Sequence, residues 1–203
     1  MAVSLKNVRI GLAMTGSHCT IPLVWPVLEK MLADGAEFFP ILSPAVAQTD
    51  TRFGRAAEIR VRLAQLCGRE PWTDLVSVEA IGPKKLLDVL AVAPCTGNTL
   101  AKLANGISDT PVTLACKAHL RNQRPVVLAI STNDGLSGNA TNLAVLLRRK
   151  YYFFVPFGQD NPETKLNSLV AKLELLPATI EAALDGRQLE PILSEKPVQA
   201  PVG

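Results

Sequence analysis

Short apolar runs alternate along the chain with longer stretches in which apolar residues recur every three or four positions. Residues 8–14 form a nearly continuous apolar run that stops at Thr15-Gly16-Ser17, and residues 21–32 carry a helical pattern closed by Asp34-Gly35. This order reads as strand, tight turn, helix. Pro22 and Pro26 fall near the start of that helix, where a missing N–H costs least. Residues 38–42 are a second strand candidate, ended at Ser43-Pro44 because the residue before a proline is pushed out of helical geometry. A helix is expected over about 51–66. The run at 86–93 is too short for a typical helix and is stopped by Pro94, so it is expected to be a central strand. Helices follow at 96–105 and, capped by Thr110 with Pro111 in the first turn, from 111 to about 121. The remaining expectations are a strand at 125–130, a helix at 138–150, a last strand at 152–155, and C-terminal helices at 166–175 and 178–184.

Repetition of strand then helix implies parallel strands joined by right-handed crossovers, hence a doubly wound parallel α/β sheet in a three-layer α/β/α sandwich. A chain of 203 residues suits one hydrophobic core. Its apolar content, 48% of residues against only 5% aromatic, is carried by Ala, Val, Leu and Ile, the composition of buried parallel strands and the helices that cover them. The domain is expected to span 1–186, with the polar, proline-bearing stretch 187–203 as a loosely held tail.

The net charge of +3 comes from 21 basic and 18 acidic residues spread along the chain, without the basic stripe that phosphate-backbone binding requires. No nucleic-acid partner is expected. No apolar run approaches the roughly 20 residues that span a bilayer, so no membrane partner is expected either. Cys19, Cys67, Cys95 and Cys116 show no CxxC pairing, and no secretory leader pattern is read. These features lead us to expect a reduced, cytoplasmic protein without a metal site, its cysteines small buried side chains.

Ligands of an open parallel sheet bind beyond the carboxyl ends of the strands. Three loops with small polar residues fall there: Thr15-Gly16-Ser17, Ser43, and Pro94-Cys95-Thr96-Gly97-Asn98-Thr99. The first precedes a helix, so its N–H groups and the Ser17 hydroxyl suit a phosphate in the positive field of the helix start; alternatively, Gly16 only completes a tight turn. Neither GxGxxG nor GxxxxGK[ST] is present, which argues against a dinucleotide fingerprint or a P-loop in this chain. Asn98 can donate to a carboxylate or carbonyl and accept from an N–H, or it and Thr96 can simply cap the next helix. His18 is a candidate general base, because a helix start depresses an imidazole pKa; the alternative is a ligand-facing, non-catalytic side chain. His119 is expected to interact with a helix C-terminal dipole. Arg52, Arg55, Glu58, Arg60 and Arg62 are expected on a solvated or subunit-contacting helix face rather than at an anion site.

Residues 88–109 (DVLAVAPCTGNTLAKLANGISD) resemble the strand, PxxxNT loop and AKxAxGIxD helix of the flavoprotein (flavin-dependent cysteine decarboxylase-like) superfamily. Thr15-Gly16-Ser17 resembles that family's phosphate turn, residues 66–75 (LCGREPWTDL) resemble its LxGxPVxxD segment, and the matches run in order from Val8 to about Ser131. The resemblance implies a flavodoxin-like, Rossmann-like fold in a homo-oligomer with FMN held between subunits. It implies Gly16, Ser17 and Ser43, beside Thr15, at the FMN phosphate. It also implies the Pro94, Cys95, Thr96, Gly97, Asn98 and Thr99 loop, with Ser131, near the flavin or a substrate carboxylate.

Two departures separate this chain from the decarboxylases of that superfamily. Their catalytic histidine precedes the loop proline in the region where this chain reads Glu79-Ala80-Ile81-Gly82, and where they show a PxMN clamp this chain reads Ala129-Ile130-Ser131-Thr132-Asn133-Asp134-Gly135-Leu136, keeping the asparagine and losing the methionine. By overall sequence, including residues 10–19 and 126–136, the chain resembles a branch that works beside a separate dehydrogenase-like protein. That resemblance implies an oxidoreductase component in the mother cell of a spore-forming bacterium, acting on a small dicarboxylate, with NADP brought by the partner; with neither a nicotinamide fingerprint nor the decarboxylase histidine of its own, the chain is expected to be inactive alone. Asn98 and His18 are its candidate catalytic residues. The alternatives are an FMN-dependent decarboxylase of the phosphopantothenoylcysteine type and a non-catalytic flavin-binding protein.

Overall fold

The computed structural model describes residues 5–194, and in it the apolar runs are buried strands because helices cover the sheet on both faces. Strand β1 (Arg9–Met14) leads through the Thr15-Gly16-Ser17 turn into helix α1 (Ile21–Ala33), and β2 (Glu37–Leu42) pairs parallel to β1. The short helix α2 (Pro44–Gln48) and helix α3 (Ala56–Cys67) replace the single helix expected at 51–66. The break has a local cause: Asp50 Oδ1 accepts from Ala56 N at 2.9 Å, and the Glu58 carboxylate reaches back to accept from Arg55 N at 3.3 Å, so the second helix starts at residue 56. Two short helices, α4 (Leu75–Glu79) and α5 (Ile81–Lys84), precede the central strand β3 (Val89–Cys95). That strand starts later than its apolar run because Lys85 turns left-handed at φ 48° and Asp88 is held by Arg9.

Helices α6 (Gly97–Ala104) and α7 (Pro111–Leu120) lead to β4 (Val126–Thr132), helix α8 (Ala140–Leu147) and β5 (Tyr152–Phe154). The parallel strands stand in the order β2-β1-β3-β4-β5. These five strands form the doubly wound parallel sheet expected, with helices on both faces, and two short strands that were not expected extend it. Strands β6 (Phe157–Gln159) and β7 (Leu169–Ala171) form a hairpin whose second strand pairs antiparallel with Ser131 and Thr132 at the end of β4, making the sheet seven-stranded and mixed. The helix expected at 166–175 is therefore β7 followed by one 3₁₀ turn (Leu173–Leu175). Leu169, Val170 and Ala171 are buried in the strand pairing, a tertiary gain that outweighs the helical spacing of the apolar residues. Helix α9 (Leu176–Leu184) closes the fold.

Within the stretch expected to be loosely held, Gln188 exchanges two hydrogen bonds with the Phe154 backbone, at 2.7 and 2.8 Å. Ser194 N donates to Phe157 O at 2.8 Å. Residues 195–203 lie outside the described residues. Among the described residues no helix is long and apolar enough to cross a membrane.

Candidate functional site

The winding direction of the 2-1-3-4-5 order reverses between β1 and β3, and the loops that follow those two strands frame a crevice. Thr15 ties them together. Its N–H and hydroxyl both donate to Pro94 O, at 3.2 and 2.7 Å, and its Oγ1 accepts from Thr96 N at 2.9 Å. The crevice opens into a cleft of about 870 Å³. On one side stand Ser17, His18, Cys19 and Thr20; at the floor lie Gly16, Thr96, Gly97 and Ser131.

Three hydroxyls close a ring at this cleft. Ser17 Oγ lies 2.7 Å from Ser131 Oγ and 3.0 Å from Thr20 Oγ1, and Thr20 Oγ1 lies 2.7 Å from Ser131 Oγ. Each hydroxyl carries one proton and two acceptor lone pairs, so the ring can reorient to donate to an anion or accept from an N–H. The ring joins the β1 loop to the end of β4 and fixes both.

Gly97 stands where a side chain has no room. A Cβ there would lie 2.7 Å from Asp134 Oδ1 and closer still to Thr132 Oγ1 and Asn139 Nδ2. Asp134 is the hub of that wall: it accepts from the Thr132 hydroxyl and from Asn139 Nδ2 at 2.8 Å, and Asn142 Nδ2 donates to Asn139 Oδ1 at 2.9 Å. The loop after β4 is thereby pressed against the first turn of α6.

Of the residues expected at the site, Gly16, Ser17, His18, Thr96, Gly97 and Ser131 line the cleft. Thr15, Pro94, Cys95 and Thr99 are buried and shape it from beneath. Ser43 is buried next to the β1 loop, where its N–H donates to Met14 O at 3.0 Å and its Oγ has no hydrogen-bond partner. Asn98 is exposed on the first turn of α6 and is not among the cleft-lining residues, so one chain does not bring its amide to the cleft. Thr96 takes the capping role, its Oγ1 accepting from Thr99 N.

His18 is half-buried, and burial lowers its pKa below the ordinary 6.5, leaving a neutral ring whose Nδ1 is buried without a partner. Burial pushes the Cys95 thiol up to about 12, which removes it as a thiolate nucleophile. The expectation of four buried cysteines holds for Cys95 and Cys116; Cys67 is only half-buried, and Cys19 is exposed on the cleft wall. His119 also differs from expectation. It is 1% exposed, its Nε2 lacks a partner, and desolvation pulls its pKa down to about 4, so no charged imidazole faces the helix dipole.

Two further segments complete the cleft, neither of which the sequence pattern placed there. Arg52 and Phe53 reach it from the loop between α2 and α3, and Asp160, Asn161, Thr164 and Lys165 reach it from the β6–β7 connection. Arg52 therefore does not belong to a solvated helix face, since α3 begins beyond it. The second segment is placed by the antiparallel pairing of β7 with β4, a long-range contact without a local sequence signature.

The family model described as Flavoprotein matches residues 2–170. The chain is 52% identical over 192 residues to the B subunit of dipicolinate synthase from Bacillus subtilis (strain 168), a match covering 95% of this chain and 96% of the relative. The crystal structure of the corresponding B subunit from Bacillus halodurans superposes with a TM-score of 0.87 at 44% identity, covering 95% of this chain and 99% of that one. DmrB of Burkholderia xenovorans in complex with FMN superposes with a TM-score of 0.64 at 20% identity over 88% of this chain and 96% of that one, a likeness of fold alone.

Proposed function

The chain belongs to the flavoprotein family, and from that premise we propose that it is the flavin-family subunit of a two-subunit oxidoreductase that forms dipicolinate during sporulation. Its partner in this reading is the dehydrogenase-like A subunit of dipicolinate synthase, and its substrate is dihydrodipicolinate or the hydroxytetrahydro precursor that yields it by loss of water. The observation that carries the reading is the 52% identity over 95% of the chain with the Bacillus subtilis protein. A free-standing decarboxylase is disfavoured because the segment that holds that family's histidine reads Glu79-Ala80-Ile81-Gly82 and lies in α4 and α5, packed on α7 away from the cleft.

The residues present fit FMN. Ser43 Oγ and His18 Nδ1 are buried polar atoms without partners, they flank the β1 loop, and a phosphate or a ring N–H is the kind of group that satisfies them. Gly16 lets the backbone approach, since a Cβ there would already stand 3.0 Å from Ala45 Cβ. The Ser17, Thr20 and Ser131 hydroxyls supply further donors. When bound, FMN supplies a two-electron acceptor. We place the exposed Asn98 at a contact with another copy or with the partner, where its amide can enter a composite site.

Oxidation of dihydrodipicolinate releases a hydride equivalent and a proton. In the net reaction NADP, brought by the dehydrogenase-like partner, accepts the hydride, and neutral His18 is the base that takes the proton. The lowered pKa keeps that imidazole in its accepting form at pH 7. The test is to mix the chain with its dehydrogenase-like partner and assay dipicolinate: formation by the pair is expected, and its absence contradicts the proposal.

A further inference from the structure

Two cations line the cleft, and they are not equivalent. Lys165 Nζ is 2.6 Å from Asp160 Oδ2, and Asp160 is buried, so that charge is already answered within the cleft wall. Arg52 enters no ion pair among the described residues; its guanidinium carbon stands 4.8 Å from the centroid of the Phe53 ring. The turn that presents both is built for holding still. Thr51 N and Gly54 N each donate to the other's carbonyl, at 3.0 and 3.1 Å, and Phe53 N donates to Thr51 Oγ1 at 3.2 Å. Gly54 has φ 143°, a conformation other residues rarely adopt, and Asp50 fixes the far side of the loop through Ala56 N.

A turn closed in this way carries an arginine and a phenylalanine at its tip, both exposed and both on the cleft. Neither adds to the core. A guanidinium over an aromatic face is oriented and only weakly hydrated, and its free edge keeps the planar fork that matches a carboxylate through two parallel hydrogen bonds. With Lys165 paired, Arg52 is the uncompensated positive charge of the cleft among the described residues.

We propose that Arg52, oriented by Phe53 on the Thr51–Gly54 turn, is the carboxylate-recognition group of this cleft, and that the ligand it takes is a planar dicarboxylate. The assignment rests on the dipicolinate reading above and deepens it. Its test uses the assembled two-protein enzyme. Arg52→Ala is expected to raise KM for the dihydro substrate and Ki for dipicolinate by about 10- to 100-fold with kcat nearly unchanged, the pattern of lost ground-state binding to a charged group. Arg52→Lys is expected to recover only part of this, because a point charge lacks the fork. Dipicolinate is expected to inhibit wild type more strongly than pyridine-2-carboxylate, and Arg52→Ala to lose most of that difference. FMN affinity, titrated by fluorescence, should not follow the same variant. Unchanged KM and Ki in Arg52→Ala, in a pair that still forms dipicolinate, overturn the role of Arg52 and leave the dipicolinate reading standing. Lost FMN affinity with unchanged KM assigns the guanidinium to a phosphate and overturns it as well. A wild-type pair that forms no dipicolinate overturns both.

Discussion

His18 is the proposed base of the cleft. Its Nδ1 is buried without a partner, its Nε2 stands 3.7 Å from where a Gly16 Cβ would be, and burial holds the ring neutral. If it is the base, His18→Gln in the assembled enzyme is expected to lower kcat by about 10²-fold or more. The wild-type kcat/KM should fall on the acid side with a midpoint below the ordinary 6.5, and the variant should lack that limb. An unchanged acid limb in the variant removes His18 from the chemistry.

His119 makes a separate prediction, about stability. Its folded pKa of about 4 lies below the ordinary 6.5, so between those values the unfolded chain binds a proton that the folded chain does not. Stability is then full above pH 6.5 and is lost as pH falls toward 4. Between pH 7 and pH 5 the loss amounts to about 2 kcal/mol, read as a drop in the urea midpoint; His119→Asn should remove most of that slope, and an unchanged slope contradicts the assignment. At this scale the small residues of the rim were legible, because Gly16, Ser17 and Thr96 announce a turn and a cap by type. Asn98 and Arg52 were not, because which way a side chain faces depends on the true start of its helix. Asn98 falls on the outer side of α6, and Arg52 falls before α3 rather than on it.

Among the elements, the end of β4 and the start of α6 are locked together through Gly97. Gly97→Ala is expected to destabilise the fold by about 1–3 kcal/mol, since Thr132, Asp134 and Asn139 must all give way. Chemical denaturation reads the effect, and an unchanged midpoint means the wall is soft. The parallel part of the sheet was readable from the runs at 8–14, 38–42, 86–93, 125–130 and 152–155, each near an observed strand. The β6–β7 hairpin was not readable. Its strands are three residues each, below the length at which alternation declares itself, and β7 exists because Ser131 and Thr132 offer it an edge.

For the molecule as a whole, one cleft gathers three hydroxyls, His18, Arg52 and Lys165, while the chain carries no GxGxxG dinucleotide fingerprint. The central claim is that chemistry arises only in the pair. Dipicolinate and NADPH are measured together in three reactions: this chain alone, its dehydrogenase-like partner alone, and an equimolar mixture, each with dihydrodipicolinate and NADP. The account predicts equal amounts of dipicolinate and NADPH in the mixture and none from this chain by itself. Sustained turnover by this chain alone, or a mixture that yields neither product, contradicts it.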